Sequence, residues 1–358
     1  MKIMQIVSGD KWAGAEVQVW TLCAQLVRQG HQVNAVVLNP GRLAEQLMAA
    51  GVTVTVLDET RFGFKTLLNK IKLELRRVQP DVVHTHRQKE NILGSVANRL
   101  TVRARCFRTV HGAPEFTPSA KQRIQIALDT YCGRYLQHGV ISVSDELTQK
   151  LAGRFSASRI HTIANGISTK DVQSDAANNK VEPVDENYVH IGFVGRLEPV
   201  KRVDLFIGTA AKLCEQRKPE DGKPLRFHIF GDGSLHATLV QQAQQAGISD
   251  NIVFHGHTDV VRSWISQMNF LLMPSDHEGL PMTALESLAL GVPLVAHATG
   301  GLKPLLSEAF AAGLVSDHSV QGYTAQMQQV LDKPWSVSLP AAYSAATSAQ
   351  HYCTLYAG

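Results

Sequence analysis

Two glutamates with seven residues between them bracket a turn whose residue types suit a phosphorylated, hydroxyl-rich ligand. Glu278 follows a short apolar run, and Glu286 lies about two turns into the helical pattern that begins near Pro281. Proline suits a first helical turn, where the missing N–H costs no hydrogen bond. The unpaired N–H groups of such a turn form a site for a diphosphate, and Gly279 lets the ligand approach the backbone. Carboxylates accept hydrogen bonds from hydroxyls, so we expect Glu286 to bind a ribose and Glu278 a sugar. The alternative is that Glu278 only interacts with the helix dipole and that Glu286 is only a surface charge.

A second segment places two cations where a strand passes into a helix. Arg196 and Lys201 are five residues apart and directly follow the apolar run Val189 to Val194. A departing diphosphate gains negative charge, which such cations neutralise. The alternative is an Arg/Lys pair with only a structural role.

The sequence around both segments resembles a known family. Residues 277–296 read H-E-G-L-P-M-T-A-L-E-S-L-A-L-G-V-P-L-V-A, which is similar to the E-x₇-E signature of glycosyltransferase family 4, a family of retaining enzymes with the GT-B fold. In that family the first glutamate contacts the donor sugar and the second the donor ribose. The resemblance implies these roles for Glu278 and Glu286, and donor contacts for Gly279, Leu280 and Pro281.

The same resemblance extends to the two cations and to a glycine turn. Residues 195–202 read G-R-L-E-P-V-K-R and resemble the family element G-R-L-x-x-x-K-G, with Arg202 in place of the last glycine. This implies that Arg196 and Lys201 neutralise the donor diphosphate. Residues 230–233, F-G-D-G, fit the family's G-x-G turn, which implies that Gly231 lets the backbone approach the donor.

The first half of the chain carries fainter versions of the family's motifs. Residues 13–16, A-G-A-E, resemble the G-G-x-E loop with Ala13 in place of the first glycine. The resemblance implies that Gly14 touches the donor phosphate and that Glu16 lies on the acceptor side. Residues 109–112, T-V-H-G, resemble the H-G element, which implies that His111 lies near the reacting carbon. A lone histidine with only a structural role is the alternative.

These motifs require a scaffold of alternating strands and helices. Short apolar runs alternate with longer amphipathic stretches throughout, which predicts an α/β protein with two Rossmann-like, doubly wound parallel sheets facing an interdomain cleft. We expect an N-terminal acceptor-side domain over 1–171, a polar linker over 172–187 and a nucleotide-sugar-binding domain over 188–335. The apolar spacing of residues 336–358 predicts a last helix that crosses back to the first domain.

Composition limits the class of protein. The chain has 358 residues, 44% of them hydrophobic and 18% charged, which indicates a folded protein rather than a disordered or membrane-spanning one. Neither a signal peptide nor a transmembrane segment is expected. Five cysteines without a C-x-x-C pair indicate a reducing cytosol, so we expect a cytoplasmic protein, peripheral on the inner face of the membrane.

Charge is divided unevenly along the chain. Residues 1–171 carry a net charge of +10 and residues 172–358 one of −6. Cations and apolar residues recur together at helical spacing over 65–78, a pattern of helices that lie on anionic membranes. The alternative is a helix that packs on its own sheet. The cations of this expected membrane face are Lys65, Lys70, Lys72, Arg76 and Arg77.

Taken together, the sequence predicts a retaining glycosyltransferase that uses a nucleotide-sugar donor, with a UDP-sugar as the default and a GDP-sugar as the alternative. The expected acceptor is a hydroxyl of a glycan or lipid-linked molecule in cell-envelope polysaccharide or lipopolysaccharide synthesis. No cofactor or metal is expected, because the Arg/Lys pair supplies the positive charge. The competing classes are a polyanion- or nucleic-acid-binding α/β protein and another GT-B enzyme such as a phosphorylase. No zinc-finger spacing or RNA-recognition aromatic pattern supports nucleic-acid binding.

Overall fold

The computed structural model describes residues 1–10, 12–112 and 119–358. These residues form two compact units. The N-terminal unit consists of Met1–Gly166 together with Ala345–Gly358, and the C-terminal unit is Ile167–Ser344.

The N-terminal unit contains a seven-stranded sheet in which every pair of neighbouring strands is parallel. Its strand order, β3-β2-β1-β4-β5-β6-β7, reverses direction beside β1, as in doubly wound folds. The strands are β1 (Lys2–Val7), β2 (Gln32–Val37), β3 (Thr53–Val56), β4 (Val82–Thr85), β5 (Arg105–Val110), β6 (Gly139–Ser142) and β7 (Ile160–Thr162). The helices between them are α1 (Gly14–Arg28), α2 (Arg42–Ala49), α3 (Phe64–Val78), α4 (Gln88–Arg99), α5 (Ala120–Tyr135) and α6 (Asp145–Ala152).

Helices cover both faces of this sheet. One buried cluster joins β1 and β2 to Val19 and Leu22 of α1 and to Tyr352 of the last helix. The other joins the opposite face to Leu67 and Leu75 of α3 and to α4. Because helices cover both faces of the sheet, five of the six residues of β1 are buried. Strands buried in this way are typically mostly apolar along their whole length.

The C-terminal unit repeats this architecture with a six-stranded parallel sheet of order β10-β9-β8-β11-β12-β13. Its strands are β8 (Val189–Val194), β9 (Leu225–Phe230), β10 (Ile252–Gly256), β11 (Phe270–Met273), β12 (Leu294–His297) and β13 (Leu314–Val315). Its helices are α7 (Thr169–Asn178), α8 (Val203–Gln216), α9 (His236–Gln245), α10 (Val261–Ile265), α11 (Met282–Ala289), α12 (Leu302–Ala309) and α13 (Val320–Val330), and the chain ends with α14 (Ala345–Ala357).

The unit boundaries differ from those expected from sequence. The division falls at Gly166 rather than 171, and the second unit continues to Ser344 rather than 335. The first part of the expected linker, 172–187, belongs to α7. Ser168 caps this helix by accepting a hydrogen bond from the Asp171 N–H, and Val172 is buried. The cap and the burial of Val172 stabilise a helix in a segment whose sequence is mostly polar. Helix α14 lies in the N-terminal unit.

Helix α3 corrects the expected membrane face. Its apolar residues Leu67, Ile71 and Leu75 are buried against the sheet, so they offer nothing to a membrane. Of its cations, Lys70 lies over the Phe62 ring and Arg77 pairs with Glu74. The amphipathic pattern belongs to a helix that packs on its own sheet, and Lys65, Lys72 and Arg76 are cations of its outer side.

Candidate functional site

The loop between β11 and α11 carries the first of the expected site residues. Pro281 was expected in the first turn of α11, but it has extended backbone angles and is the N-cap. The helix therefore begins one residue later, at Met282. The N–H groups of this first turn have no intrahelical acceptor, and the helix dipole adds positive potential there. The segment 279–281 therefore leads into a helix start suited to an anion.

A glycine pair holds this loop in place. The Gly301 N–H donates to the Gly279 carbonyl at 2.6 Å. Gly300 has a φ of 53°, and a Cβ there would lie 1.8 Å from the Glu278 carbonyl oxygen. Only glycine fits such an approach. Sequence reasoning missed this pair, although a Gly-Gly step within a few residues of the end of a predicted strand is a visible signal.

The structure brings Lys201 and Glu278 together. Lys201 Nζ lies 2.6 Å from Glu278 Oε1, and both side chains are largely buried. Lys201 ends the short turn Pro199–Lys201 that follows β8, while Glu278 lies in the loop after β11, the adjacent strand. Two residues 77 positions apart thus form one charged pair at the carboxyl edge of the sheet. Arg196 also lies after β8, and its side chain is exposed.

Glu286 is buried in α11 and paired with an arginine that sequence reasoning missed. Arg262 Nε and Nη2 both contact Glu286 Oε1, at 2.9 and 2.8 Å. Arg262 also contacts Asp175 of α7 at 3.2 Å. Burial acts to lower the pKa of Arg262, but the two carboxylates outweigh it and raise the pKa. Arg262 orients the Glu286 carboxylate, and its contact with Asp175 of α7 holds the arginine in place.

Arg202 explains its own departure from the family motif. Its φ of 50° is the left-handed conformation that glycine adopts most easily, which accounts for glycine in the family element. Here the side chain is held by Asp204 and, at 3.1 Å, by Asp276. Asp276 also accepts a hydrogen bond from His318 Nε2 at 2.9 Å. The arginine thus ties the turn after β8 to the loop that carries Glu278.

Gly231 has a packing requirement of its own. Its φ is 135°, and a Cβ there would lie 1.9 Å from the Gly195 carbonyl oxygen. Its N–H donates to the Gly256 carbonyl at 2.8 Å. The glycine is needed for the close approach of two loops, and its expected contact with a donor stays a prediction.

In the N-terminal unit, the loop before α1 differs from the family pattern without strain. Ala13 has a φ of −138° and a ψ of −179°, an extended conformation open to any residue. Gly14 is exposed at the start of α1. Glu16 is fully buried and contacts Arg87 Nη2 at 2.5 Å, so in this conformation it offers no surface to an acceptor. Arg87, with 37% of its side chain exposed, faces solvent instead.

His111 follows β5 and belongs to a chain of hydrogen bonds. His86 Nε2 lies 2.9 Å from the Gln5 amide oxygen, an acceptor, so this nitrogen carries a proton. Neutral His86 then accepts at Nδ1 from His111 Nε2–H, 3.2 Å away. The remaining His111 nitrogen, Nδ1, is buried and has no hydrogen-bond partner among the described residues. It is left with a lone pair that can accept a hydrogen bond.

A second buried chain lies beside the first. His84 contacts Thr109 Oγ1 at 2.9 Å and the Tyr356 hydroxyl at 2.6 Å, and Thr109 contacts the Tyr352 hydroxyl at 3.1 Å. Helix α14 thereby supplies two tyrosines to the polar interior below the carboxyl ends of β4 and β5. Sequence reasoning missed His84 and His86, although two histidines one residue apart at the end of a predicted strand are a usable signal.

The histidines of these chains are held neutral. Burial lowers the pKa of His111 to about 3, and the charges of Arg87 and Arg108 act in the same direction. Burial also lowers the pKa of His84 to about 3 and holds the pKa of His86 well below its usual range. At neutral pH these side chains are hydrogen-bonding groups rather than cations.

Residues 1–10, 12–112 and 119–358 contain neither a metal-holding cluster nor a membrane-spanning helix. No group of three or more His, Cys, Asp and Glu side chains there is arranged to hold a metal ion. None of the helices in the same ranges combines the length and apolar character that a membrane crossing requires.

Comparison with known proteins supports one family. Residues 12–171 match the family described as Glycosyltransferase Family 4, and residues 174–349 match Glycosyl transferases group 1. The 2-deoxystreptamine glucosyltransferase of Streptomyces kanamyceticus is 27% identical over 285 residues, which cover 73% of this chain and 71% of that protein. The D-inositol 3-phosphate glycosyltransferase of Mycolicibacterium smegmatis is 33% identical over 173 residues, 47% of this chain and only 37% of that protein.

Solved structures agree on the fold. Anabaena Alr3699/HepE in complex with UDP has a TM-score of 0.74 at 18% identity, covering 99% of this chain and 95% of that one. The lipopolysaccharide outer core galactosyltransferase WaaB, in its apo form, has a TM-score of 0.64 at 18% identity, covering 92% and 90%. The chain therefore belongs to glycosyltransferase family 4, and it is a glycosyltransferase with the GT-B fold.

Proposed function

We propose that this enzyme transfers a hexosyl group from a UDP-sugar to an acceptor hydroxyl with retention of the anomeric configuration. The observation that carries this proposal is the Lys201–Glu278 pair beside the start of α11. A cation next to a helix N-terminus suits a diphosphate, and a carboxylate next to that cation suits the hydroxyls of the attached sugar. Arg196, with an exposed side chain in the turn after β8, supplies further positive charge to the same diphosphate.

The nucleoside is assigned to Glu286. Its contacts with Arg262 both use Oε1, so the ribose hydroxyls donate to Oε2. Gly279, Leu280 and Pro281 supply the backbone along which the diphosphate lies. UDP is favoured over GDP because a structural neighbour, Alr3699/HepE, is known in complex with UDP and with UDP-glucose.

His111 is assigned to the transferred sugar. Its Nδ1 lone pair accepts a hydrogen bond from a sugar hydroxyl, and His86 fixes this tautomer through its own bond to Gln5. Because the imidazole is neutral, it adds no positive charge next to a reacting carbon that itself becomes positive. Gly14 is assigned to the donor phosphate.

Retention is proposed to follow from attack on the same face as the leaving group. The C1–O bond breaks and its electron pair leaves with the nucleoside diphosphate. The acceptor oxygen then bonds to C1 on that face, and its proton passes to a leaving phosphate oxygen. Lys201, Arg196 and the α11 N-terminus stabilise the charge on that group, so the proposed reaction requires neither a metal nor a glycosyl-enzyme adduct.

The acceptor is proposed to be a hydroxyl of a glycan or lipid-linked molecule in cell-envelope polysaccharide or lipopolysaccharide synthesis, at the cytoplasmic side of the membrane. The likeness to WaaB, a lipopolysaccharide galactosyltransferase, supports this choice. A second candidate is a cyclitol acceptor, because the relatives include a 2-deoxystreptamine glucosyltransferase and a D-inositol 3-phosphate glycosyltransferase.

The stereochemical proposal is tested by proton NMR of the product formed from an α-linked UDP-hexose. We expect an α-linked product, no mass increase of the intact enzyme during turnover, and undiminished activity after treatment with EDTA. A β-linked product or a trapped glycosyl-enzyme would contradict the mechanism, and inactivation by EDTA would contradict metal independence.

A further inference from the structure

One helix of the N-terminal unit presents an unusual surface. Ten large apolar residues are exposed in the described ranges, all of them in this unit, and four of the ten lie on α5. They are Ile124, Leu128, Tyr131 and Tyr135, each between 50% and 67% exposed. Spacings of four, three and four residues place them on one face of the helix.

The C-terminal half of α5 makes two close contacts with the rest of the N-terminal unit. Asp129 is fully buried, where it contacts Arg108 and accepts a hydrogen bond from Asn91 Nδ2 at 2.9 Å. A Cβ on Gly133 would lie 2.4 Å from the Phe155 ring. These contacts fix the rotation of the C-terminal half of α5, where Tyr131 and Tyr135 are exposed on the outer side.

A basic pocket lies at the C-terminal end of the stripe. It has a volume of about 380 Å³ and is lined by Arg134, Arg154, Arg159, Tyr135 and Phe155. Arg134 Nε donates to the Arg154 carbonyl at 2.7 Å, and Arg159 Nη1 donates to the Arg134 carbonyl at 2.5 Å. These bonds fix each guanidinium while using few of its five donors.

Positive charge is in excess around this pocket. Asp129 is the carboxylate that pairs with Arg108 and with Arg154, while Arg134 and Arg159 bond to backbone carbonyls, which carry no charge. Burial and the charges of Arg108 and Arg134 lower the pKa of Arg154 despite the nearby carboxylate. A pocket with this balance is complementary to a multiply charged anion such as a phosphate.

We propose that the stripe and the pocket, together called the α5 face, dock the enzyme on an anionic phospholipid bilayer. The stripe enters the interfacial layer, where tyrosine and aliphatic side chains are favoured, and the three arginines bind lipid phosphates. A soluble anion alone would leave the apolar stripe without a partner. A symmetric dimer through this face would bring two copies of the same arginine cluster together.

This proposal goes beyond sugar transfer, and its test needs neither donor nor acceptor. The full-length protein is sedimented with vesicles of phosphatidylcholine alone or with added phosphatidylglycerol, at low and high salt. We expect binding to the anionic vesicles that falls as salt rises. Failure here leaves the proposed transferase activity intact, and a failure of that activity leaves the docking result intact.

Two variants address the face directly. The double variant Ile124→Ser/Leu128→Ser should lower vesicle partitioning at least about tenfold, since both side chains leave the interfacial layer. The double variant Arg134→Gln/Arg159→Gln should lower it about 25-fold, at about fivefold for each charge near an anionic surface. Unchanged circular dichroism establishes that the variants are folded. Should the arginine variant fail to fold, the apolar variant decides the question alone.

Matched controls lie on α3 of the same unit. Leu73, 61% exposed, is changed to serine, and Lys65→Gln/Arg76→Gln removes two cations. Both controls should retain partitioning within about twofold. The docking proposal would be overturned if the controls lost as much partitioning as the α5 variants or if the wild type showed no preference for anionic vesicles. It would also be overturned if light scattering showed that the stripe mediates only self-association.

Discussion

The candidate sites of the two units differ in their electrostatics. In the C-terminal unit, the candidate site is built from charge pairs, Lys201 with Glu278 and Arg262 with Glu286. In the N-terminal unit, the candidate residue His111 lies beside other neutral histidines, and burial lowers the pKa of each. Charge pairs suit a nucleoside diphosphate that leaves as an anion, whereas neutral acceptors suit sugar hydroxyls. The comparison predicts that substitutions in the two units will differ in kind as well as in size.

The largest effect is expected where charge develops during the reaction. Lys201→Ala removes the cation that we propose stabilises the leaving diphosphate, so kcat/KM should fall about a thousandfold. Initial-rate kinetics with a saturating acceptor measure this. Lys212→Ala is the matched control, because Lys212 lies on α8 of the same unit and pairs with exposed Glu215. Equal effects of the two variants would show that Lys201 has no special place in the reaction.

The next effect concerns stability of the C-terminal unit. Arg262→Ala leaves the buried Glu286 carboxylate without its partner and should lower the free energy of unfolding by about 3 kcal/mol. Urea denaturation measures the loss. The double variant Arg262→Met/Glu286→Gln removes both charges and should recover most of that loss. A double variant as unstable as the single one would mean that packing, rather than the unpaired charge, is responsible.

The smallest effect should appear in the N-terminal unit as a dependence on pH. The buried histidines have lowered pKa values, near 3 for His84 and His111, so the unfolded chain binds more protons below about pH 6.5. Their stabilising contribution is complete above that pH and is lost as pH falls toward 3.

Between pH 7 and 5, the free energy of unfolding should fall by at least about 1 kcal/mol from this source. Urea denaturation across this range measures the change. His84→Gln keeps hydrogen-bonding groups but does not titrate, so it should flatten the dependence, whereas His257→Gln at an exposed position should not. An identical pH profile in all three proteins would contradict the neutral-histidine account.

Local sequence predicted those parts of the molecule that depend on local patterns. The strands ahead of the motifs, the helix after Pro281 and the repeated α/β architecture follow from apolar runs and turn residues. The short strands β7 and β13 were missed, because two or three residues carry too little periodicity. Helix α7 was mistaken for linker, because its stability depends on one cap and on packing against the rest of its unit.

The site shows the same limit at the level of single residues. Motif spacing identified Lys201 and Glu278, but their contact depends on the adjacency of β8 and β11, which a sequence does not display. Arg262 lies in no motif and is important only because it meets Glu286. The α3 pattern misled for a related reason, since an amphipathic helix on a sheet and one on a membrane have the same periodicity.

We propose that the C-terminal unit binds a uridine nucleotide sugar through Lys201, Glu278 and Glu286. The most direct test is the thermal stability of the full-length protein with UDP, GDP, ADP and CDP and with their common sugar conjugates. At a hundredfold excess over Kd, the matching ligand should raise Tm by roughly 5 to 10 °C. We expect UDP and one UDP-sugar to do so in the wild type but not in Lys201→Ala or Glu286→Ala. No shift with any nucleotide, or an equal shift in both variants, would contradict the assigned donor site.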